Sequence, residues 1–146
     1  MSTESQTNPE EIAASLHSAA IHLLRQLRQA DTSSGLNSAR LSALSVIVFA
    51  GPITLGHLAD TEQVRPPTMT RIVNALEAKG LVKKCASAID RRTIHLSATM
   101  KGKRVLLEAR RRRIQSLASQ IAILPPQDKK TLHAAIAILN GLVRVL

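Results

Sequence analysis

The chain has 146 residues, of which 45% are hydrophobic and 1% aromatic, and its formal net charge is +10. This length suits one domain with one core, and the lack of Trp and Tyr argues against stacking single-stranded nucleic acid on aromatic platforms. Cys85 is the single cysteine, which excludes an intrachain disulfide.

The positive charge is concentrated in one segment. Residues 65–113 contain fourteen Lys or Arg residues and three acids, a net charge of +11, whereas the remainder has six basic and seven acidic residues, a net charge of −1. A polyanion is therefore the first partner to consider. The N-terminal sequence lacks the basic and apolar regions of a signal peptide, and no apolar run approaches the roughly 20 residues that span a bilayer. We expect a cytoplasmic protein without a membrane partner.

Two helices are predicted before the basic segment. Residues 1–8 are expected to be disordered, and a first helix is predicted over residues 9–29 from apolar positions that recur every three or four residues. Residues 31–35 break this pattern. A second helix, over about residues 38–50, is apolar on nearly all sides, which predicts a position at the buried centre of the domain.

The next stretch predicts a helix-turn-helix. A short extended link at Ile53 is expected to lead into a short helix over residues 55–60, which should be capped by the hydroxyl of Thr54. A second helix should begin near Pro66, where an amide hydrogen is not needed, and end at Gly80 in the left-handed conformation. One face of this second helix is apolar, with Met69, Ile72, Val73 and Leu76. The opposite face carries Thr68, Thr70, Arg71 and Asn74, as a helix in a DNA major groove requires.

A basic hairpin is predicted directly after this helix. Strands over residues 81–86 and 92–96 flank a polar turn over residues 87–91. A hairpin in this place is the arrangement of a winged helix, whose loop brings cations to the neighbouring groove or to phosphates. The predicted class is mainly α with a small β-hairpin wing.

Two long helices are predicted to close the chain. Thr99 should cap the first, which runs to about Ile123, and the second begins at the pair Pro125-Pro126. The second has a narrow apolar seam, formed by Leu132, Ile136, Leu139, Leu142 and Leu146. A seam of this kind packs along another helix, and a second copy of the chain is the most common partner. We therefore predict a homodimer.

Three motifs resemble the MarR family of bacterial transcription regulators, which are dimeric winged helix-turn-helix proteins. They are GPITLGHLAD (residues 51–60), VRPPTMTRIVNALEAKGLV (residues 64–82) and DRRTIHLSATMKG (residues 90–102). The resemblance implies one domain over residues 1–146, with dimerisation helices at about 9–36 and 123–146, a winged helix-turn-helix at about 37–102 and a long connecting helix at about 99–123.

The resemblance also implies roles for particular residues. Asp90 and Arg92 match the family's Asp-x-Arg wing motif, in which the Arg enters the minor groove and the Asp helps to hold the wing. Arg65 departs from the small capping residue that usually opens the recognition helix, and the arginine run at residues 110–113 is unusual. The family further implies a pocket between the dimerisation helices and the winged domain, for a small aromatic ligand that relieves repression.

We predict a sequence-specific regulator of double-stranded DNA with a pseudo-palindromic site, acting as a repressor and not as an enzyme, without cofactor or metal. The predicted DNA-contacting residues are Arg65, Pro67, Thr68, Thr70, Arg71, Asn74, Lys83, Lys84, Asp90, Arg91 and Arg92. The alternative is a non-enzymatic winged-helix dimer whose basic face docks an acidic protein or a membrane surface.

Two features leave alternatives open. The arginine run at residues 110–113 forms either a solvated, partly ion-paired face or a contact with DNA flanks or the partner subunit. For Cys85 we expect a buried or half-buried thiol rather than a redox switch.

Overall fold

The structure, a computed structural model, describes residues 8–29 and 34–145. Within these ranges the chain forms six helices and three short strands. They are α1 (Pro9–Gln29), α2 (Ser38–Ala50), β1 (Ile53–Thr54), α3 (Leu55–Thr61), α4 (Pro66–Ala78), β2 (Val82–Ala86), β3 (Ile94–Ala98), α5 (Met100–Ala122) and α6 (Pro126–Val143). The features predicted at residues 1–7, 31–33 and Leu146 lie outside the described residues. The mainly helical class with a small β wing is confirmed.

Polar side chains cap four of the helices. Asn8 caps α1, Asn37 caps α2, Thr54 caps α3 and Thr99 caps α5, each through a side-chain oxygen that accepts a backbone amide at 2.9 to 3.2 Å. These bonds satisfy amide groups that have no partner inside the helix. The predicted caps Thr54 and Thr99 are confirmed. Gly80, with φ of 70°, follows α4 in the left-handed conformation that was predicted.

The core lies between α2, α4 and the sheet. Leu44 and Ile47 of α2 have almost no exposed surface, which confirms the central position expected for this helix. The buried side chains of α4 are Met69, Val73 and Leu76. Ile72, the fourth member of the predicted apolar face, is half-buried. Burial of one aliphatic side chain of this size contributes about 1.5–3 kcal/mol, so these contacts hold α4 with its polar face outward.

The sheet has three antiparallel strands in the order β1-β3-β2. The sequence predicted a two-stranded hairpin with an extended link at Ile53, but this link pairs with β3, where it lies opposite Leu96. The second hairpin strand was also predicted too early in the chain. It begins at Ile94 rather than Arg92 and ends at Ala98 rather than at Leu96, because hydrogen bonds within the turn hold the preceding residues.

Cys85 is exposed, so the expectation of a buried or half-buried thiol is wrong. Successive side chains of a strand point to opposite faces of the sheet. In β2 Val82 is buried, and Cys85, an odd number of positions further along, lies on the outer face. Its cross-strand partner His95 lies on the same face.

The start of α5 packs closely on the chain that leaves α4. A Cβ atom at Gly102 would overlap the carbonyl oxygen of Leu81, which explains why a residue of poor helix propensity stands early in this helix. The same carbonyl accepts the amide of Thr99 at 3.0 Å. The hydroxyl of Thr99 donates to the carbonyl of Gly80 at 2.7 Å. These contacts fix the base of α5 beside α4 and the wing.

Helices α1 and α6 bury none of their described residues. Their exposed large apolar side chains include Ile12, Leu16, Leu23 and Leu24 on α1 and Leu132, Ile136 and Leu142 on α6. Most helical stability in proteins comes from packing an apolar face, so in one copy of the chain these faces are uncovered. No helix in residues 8–29 or 34–145 is both long and apolar enough to cross a membrane.

Candidate nucleic-acid interface

The outward face of α4 carries the four polar side chains that the sequence placed there. Thr68, Thr70, Arg71 and Asn74 are all exposed, while the opposite face is packed in the core. The hydroxyl of Thr70 donates to the carbonyl of Pro66 at 2.9 Å, and its oxygen stays available as an acceptor. The face therefore offers hydrogen-bonding groups and one long cation at helical spacing.

The first turn of α4 closes without a capping side chain. Arg65 occupies the N-cap position and makes no side-chain cap hydrogen bond. Pro66 and Pro67 have no amide hydrogen, so two of the donors that normally need a cap do not exist. The amide of Thr68 donates to the carbonyl of Arg65 at 3.0 Å. The Arg65 side chain is thus not needed to close the helix, and it lies exposed at the entrance of α4.

A lysine of the hairpin joins β2 to α4. Lys84 Nζ lies 2.7 Å from a carboxylate oxygen of Glu77 and donates to Oδ1 of Asn74 at 2.8 Å. The Lys84 and Glu77 side chains are 35% and 40% exposed, so the ion pair contributes at most about 1 kcal/mol. The hydrogen bond from Lys84 to Asn74 matters more for geometry, because it fixes the orientation of the Asn74 amide. Lys83, the neighbouring residue, lies on the outer face of the sheet, so the two lysines differ in role.

Hydrogen bonds between residues close in sequence hold the turn between β2 and β3. Ser87 Oγ accepts the amides of Ile89 at 3.2 Å and Asp90 at 3.4 Å. The Asp90 carboxylate accepts the amide of Arg92 at 2.9 Å and the hydroxyl of Thr93 at 3.3 Å. The amide of Ser87 donates to the carbonyl of Thr93 at 2.8 Å. The turn is therefore ordered by its own side chains, and the Arg92 side chain is exposed at its tip.

Positive charge dominates the surface formed by α4 and the wing. The acids between residues 65 and 92 are Glu77 and Asp90. Glu77 is paired with Lys84, and Asp90 accepts hydrogen bonds within the turn. The exposed basic residues in this stretch include Arg65, Arg71, Lys83, Arg91 and Arg92. A surface of this kind attracts a polyanion at long range.

The arginine run at residues 110–113 divides among different surroundings. Arg112 Nε lies 3.3 Å from Glu108, one helical turn before it, and Arg111 is exposed on the outer side of α5. The other two arginines of the run line a cavity beside α2. Consecutive residues of a helix point in different directions, so no single interpretation of the run applies to all four.

Two adjoining cavities lie between α2 and α5, with volumes of about 250 and 270 Å³, and α1 lines only the first of them. Leu41, Ser45, Leu106 and Arg113 line both of them. Arg28 also lines the first and Arg110 the second. No carboxylate of the described residues lines either cavity. Aliphatic walls with guanidinium and hydroxyl donors suit a small organic anion.

The sequence predicted the exposed polar face of α4 and the basic hairpin. It did not predict the contact that joins them or the hydrogen bonds that shape the turn. The link through Lys84 depends on strand pairing, which no local pattern reveals. The roles of Ser87 and Thr93 in the turn have a weak local signal, since Ser often bonds backbone amides two residues on. The cavity residue Arg28 had no sequence signal, because α1 reaches α5 only in the folded chain.

Comparison with known proteins establishes the family. The MarR family model matches residues 36–94, which include α2, the helix-turn-helix and most of the wing. An HTH-type transcriptional regulator of Mycobacterium tuberculosis is 36% identical over 132 residues, which cover 90% of this chain and 92% of that protein. The chain belongs to the MarR family. A further HTH-type transcriptional regulator, from Mycobacterium leprae, is 32% identical over 132 residues. The family's members are not enzymes.

Solved structures share the fold at low sequence identity. A transcriptional regulator from Thermotoga maritima has a TM-score of 0.79 at 24% identity, with 92% of this chain and 95% of that chain covered. A protein from Mycobacterium tuberculosis has a TM-score of 0.80 at 19% identity, with 96% and 97% covered. A mutant of S. aureus MepR bound to an oligodeoxyribonucleotide has a TM-score of 0.70 at 14% identity, with 90% and 97% covered. The fold shared with these structures therefore extends over nearly the whole chain.

Proposed function

We propose that this MarR-family regulator binds double-stranded DNA sequence-specifically through α4 and the wing. The observation that carries the proposal is the arrangement of α4, which buries its apolar face and exposes Arg71 and Asn74, with the wing strand tied to that side through Lys84. The major groove is about 12 Å wide and admits a helix. The S. aureus MepR mutant with this fold is bound to an oligodeoxyribonucleotide, which supports DNA as the partner.

Sequence choice would come from Arg71 and Asn74. A guanidinium makes a bidentate contact with guanine O6 and N7, and such a pair discriminates by about 1–3 kcal/mol. An asparagine usually binds adenine through both its oxygen and its nitrogen, but Oδ1 of Asn74 already accepts from Lys84. With one of the two lone pairs of Oδ1 engaged in this way, the amide hydrogens of Asn74 are the groups best placed to meet base acceptors, such as those of guanine or thymine. Arg65 and Lys83 would position the protein through contacts with DNA phosphates. The sugar-phosphate backbone next to these phosphates would be contacted by Pro67, Thr68 and Thr70.

The wing would enter the adjacent minor groove with Arg92. A narrow minor groove has a strongly negative potential that attracts a guanidinium. Asp90 does not face the DNA as a binding group in this proposal. Its carboxylate holds the amide of Arg92 at 2.9 Å and so orients the arginine, while Arg91 meets the flanking phosphates.

We propose a homodimer formed through α1 and α6, the two helices that bury none of their described residues. A two-fold dimer presents two recognition helices, so the site should be pseudo-palindromic with half-sites about 10 bp apart. Light scattering after size exclusion measures the mass directly. Each chain has a mass of 15.8 kDa, and the dimer should have twice that value at micromolar concentration.

For regulation we propose repression that is relieved by a small aromatic anion in the two cavities between α2 and α5. The lining places guanidinium groups of Arg28 and Arg110 beside aliphatic walls, so a carboxylate on an aromatic ring fits both features. Benzoate should release the DNA, and the neutral benzamide should do so less. The variant Arg110→Gln should weaken the benzoate effect, whereas Arg111→Gln, which removes the same charge outside the cavities, should not. Equal effects of benzoate and benzamide would contradict an anion site.

The DNA proposal is tested by selection from a library of randomised duplexes. The protein should enrich a pseudo-palindrome, and Arg71→Ala should lose the preference at one base step per half-site. Without enrichment but with binding to anionic vesicles or to an acidic protein, the basic face would serve docking rather than recognition of sequence. A regulator that selects its site in this way acts on the chromosome, which supports the cytoplasm as its location.

A further inference from the structure

The tip of the wing exposes an isoleucine. Ile89 is 99% exposed, more than any other large hydrophobic side chain in the described chain. Isolated exposed hydrophobic residues are common on protein surfaces, but the loop between two hairpin strands favours Gly, Asn, Asp, Ser or Pro because of their backbone preferences. A β-branched residue here contributes nothing to the core or to the turn, so the fold does not explain it. Such departures from local rules concentrate at functional positions.

The backbone of Ile89 is held in place relative to Arg92. The amide of Ile89 donates to Ser87 Oγ at 3.2 Å, and the amide of Asp90, the next residue, donates to the same oxygen at 3.4 Å. Asp90 in turn accepts the amide of Arg92 through its carboxylate. Hydrogen bonds thus link Ser87 to Asp90 and Asp90 to Arg92. An apolar side chain and a guanidinium are thus presented together on one ordered tip.

We propose that Ile89 enters the DNA minor groove beside Arg92 and packs against the sugars and the floor of the groove. This inference rests on the proposed function. The minor groove is about 6 Å wide, its walls are the C–H groups of deoxyribose, and apolar side chains from several architectural proteins insert there. Arg92 supplies attraction that depends on salt, and Ile89 supplies contact that does not. Ile89 is therefore a specificity-determining residue, because the guanine 2-amino group projects into the groove and blocks its approach.

The first test compares affinities for a fixed duplex over a range of salt concentrations. Replacement of Ile89 by Ala removes three apolar carbons, and we expect binding to weaken by about tenfold per wing, or up to about a hundredfold for a dimer. The slope of log K against log salt should stay unchanged, because no counterion is released when an apolar side chain binds. The variant Arg92→Ala should lower the slope by about 0.9 for each phosphate that is no longer neutralised. The variant Ile89→Leu should keep most of the affinity of the native protein, and Ile89→Asn should not.

The second test isolates the minor groove. Duplexes of poly(dI-dC) and poly(dG-dC) present the same major-groove groups, and they differ in the 2-amino group that only guanine places in the minor groove. We expect the native protein to prefer the inosine duplex several-fold and Ile89→Ala to lose most of that preference. Ile94→Ala serves as the matched control, because Ile94 is 51% exposed on the same hairpin but lies in the strand rather than at the tip.

The outcomes separate the inference from the function on which it rests. If the native protein binds duplex DNA and Ile89→Ala binds within twofold of it, the inference is overturned while the DNA-binding function stands. A changed salt slope in Ile89→Ala would also overturn it, because the weaker binding would then be electrostatic. If the native protein binds no duplex, both fail together. Unfolding curves should be unchanged for Ile89→Ala, since its side chain packs on nothing.

Discussion

Asp90 offers a direct test of how the wing is built, because two effects of its removal oppose each other. Its carboxylate accepts the amide of Arg92 at 2.9 Å and the hydroxyl of Thr93 at 3.3 Å. The same carboxylate is a negative charge on a surface that is proposed to meet phosphates. Replacement of Asp90 by Ala removes both the ordering and the repulsion, so the sign of the change in affinity shows which effect is larger.

The magnitudes favour the loss of order. Two exposed hydrogen bonds contribute about 0.5–1 kcal/mol each, so the turn around Arg92 loses about 1–2 kcal/mol of its preference for the binding-competent conformation. A carboxylate at about 8 Å from a phosphate in water repels it by about 0.5 kcal/mol, and salt at about 0.15 M screens this further. We therefore expect Asp90→Ala to weaken DNA binding by about tenfold per wing.

The matched variant Asp90→Asn separates the two effects. An amide oxygen can still accept the amide of Arg92, while the negative charge is gone, so this variant should bind within about threefold of the native protein or more tightly. Fluorescence anisotropy with a labelled duplex at several salt concentrations measures both. If Asp90→Ala binds as tightly as the native protein at every salt concentration, Asp90 does not order the wing and the reasoning is wrong.

Three further variants test the interface and the packing. Arg71→Ala should weaken binding to a selected site by about 1–3 kcal/mol and leave binding to random duplex much less affected; equal losses on all duplexes would exclude base recognition. Lys83→Ala should lower the salt slope more than Lys84→Ala, because the charge of Lys84 is already paired with an acid, and fluorescence titrations over salt would show equal slopes if both lysines bind phosphates. Gly102→Ala should lower the free energy of unfolding in urea by several kcal/mol, because the added Cβ overlaps a backbone carbonyl. Gly56→Ala, whose added Cβ would have no heavy atom within 4 Å, should leave the free energy of unfolding unchanged or slightly raised. A similar loss of stability in both variants would contradict the packing argument.

The helices could be predicted from the sequence because their signals are local. Thr54 and Thr99 precede apolar periodicity in the positions where capping oxygens are useful, and Gly80 stands where a left-handed residue ends α4. The apolar spacing of α4 indicated which face would be buried, and this placed Arg71 and its neighbours outward. These inferences need only the chain within one or two helical turns of each residue.

The features that were missed depend on partners far away in the chain. The pairing of Ile53 with Leu96 joins residues on either side of the helix-turn-helix, so an extended link could not be distinguished from a strand. The side of the sheet on which Cys85 lies follows from register, and a shift of one residue reverses it. The contact of Lys84 with Asn74 likewise required the hairpin to be placed against α4. The homodimer and the roles of the DNA-contacting residues stay predictions.

The measurement that tests DNA recognition most directly is a salt series of binding to a random duplex and to DNA from upstream of the protein's own gene. With about four phosphates neutralised by each protomer, log K should fall with log salt at a slope of about −7, and the upstream DNA should bind more tightly at every concentration. A steep slope without preference would contradict sequence-specific recognition by α4. No duplex binding at moderate salt would contradict the central claim that α4 and the wing form a DNA-binding surface.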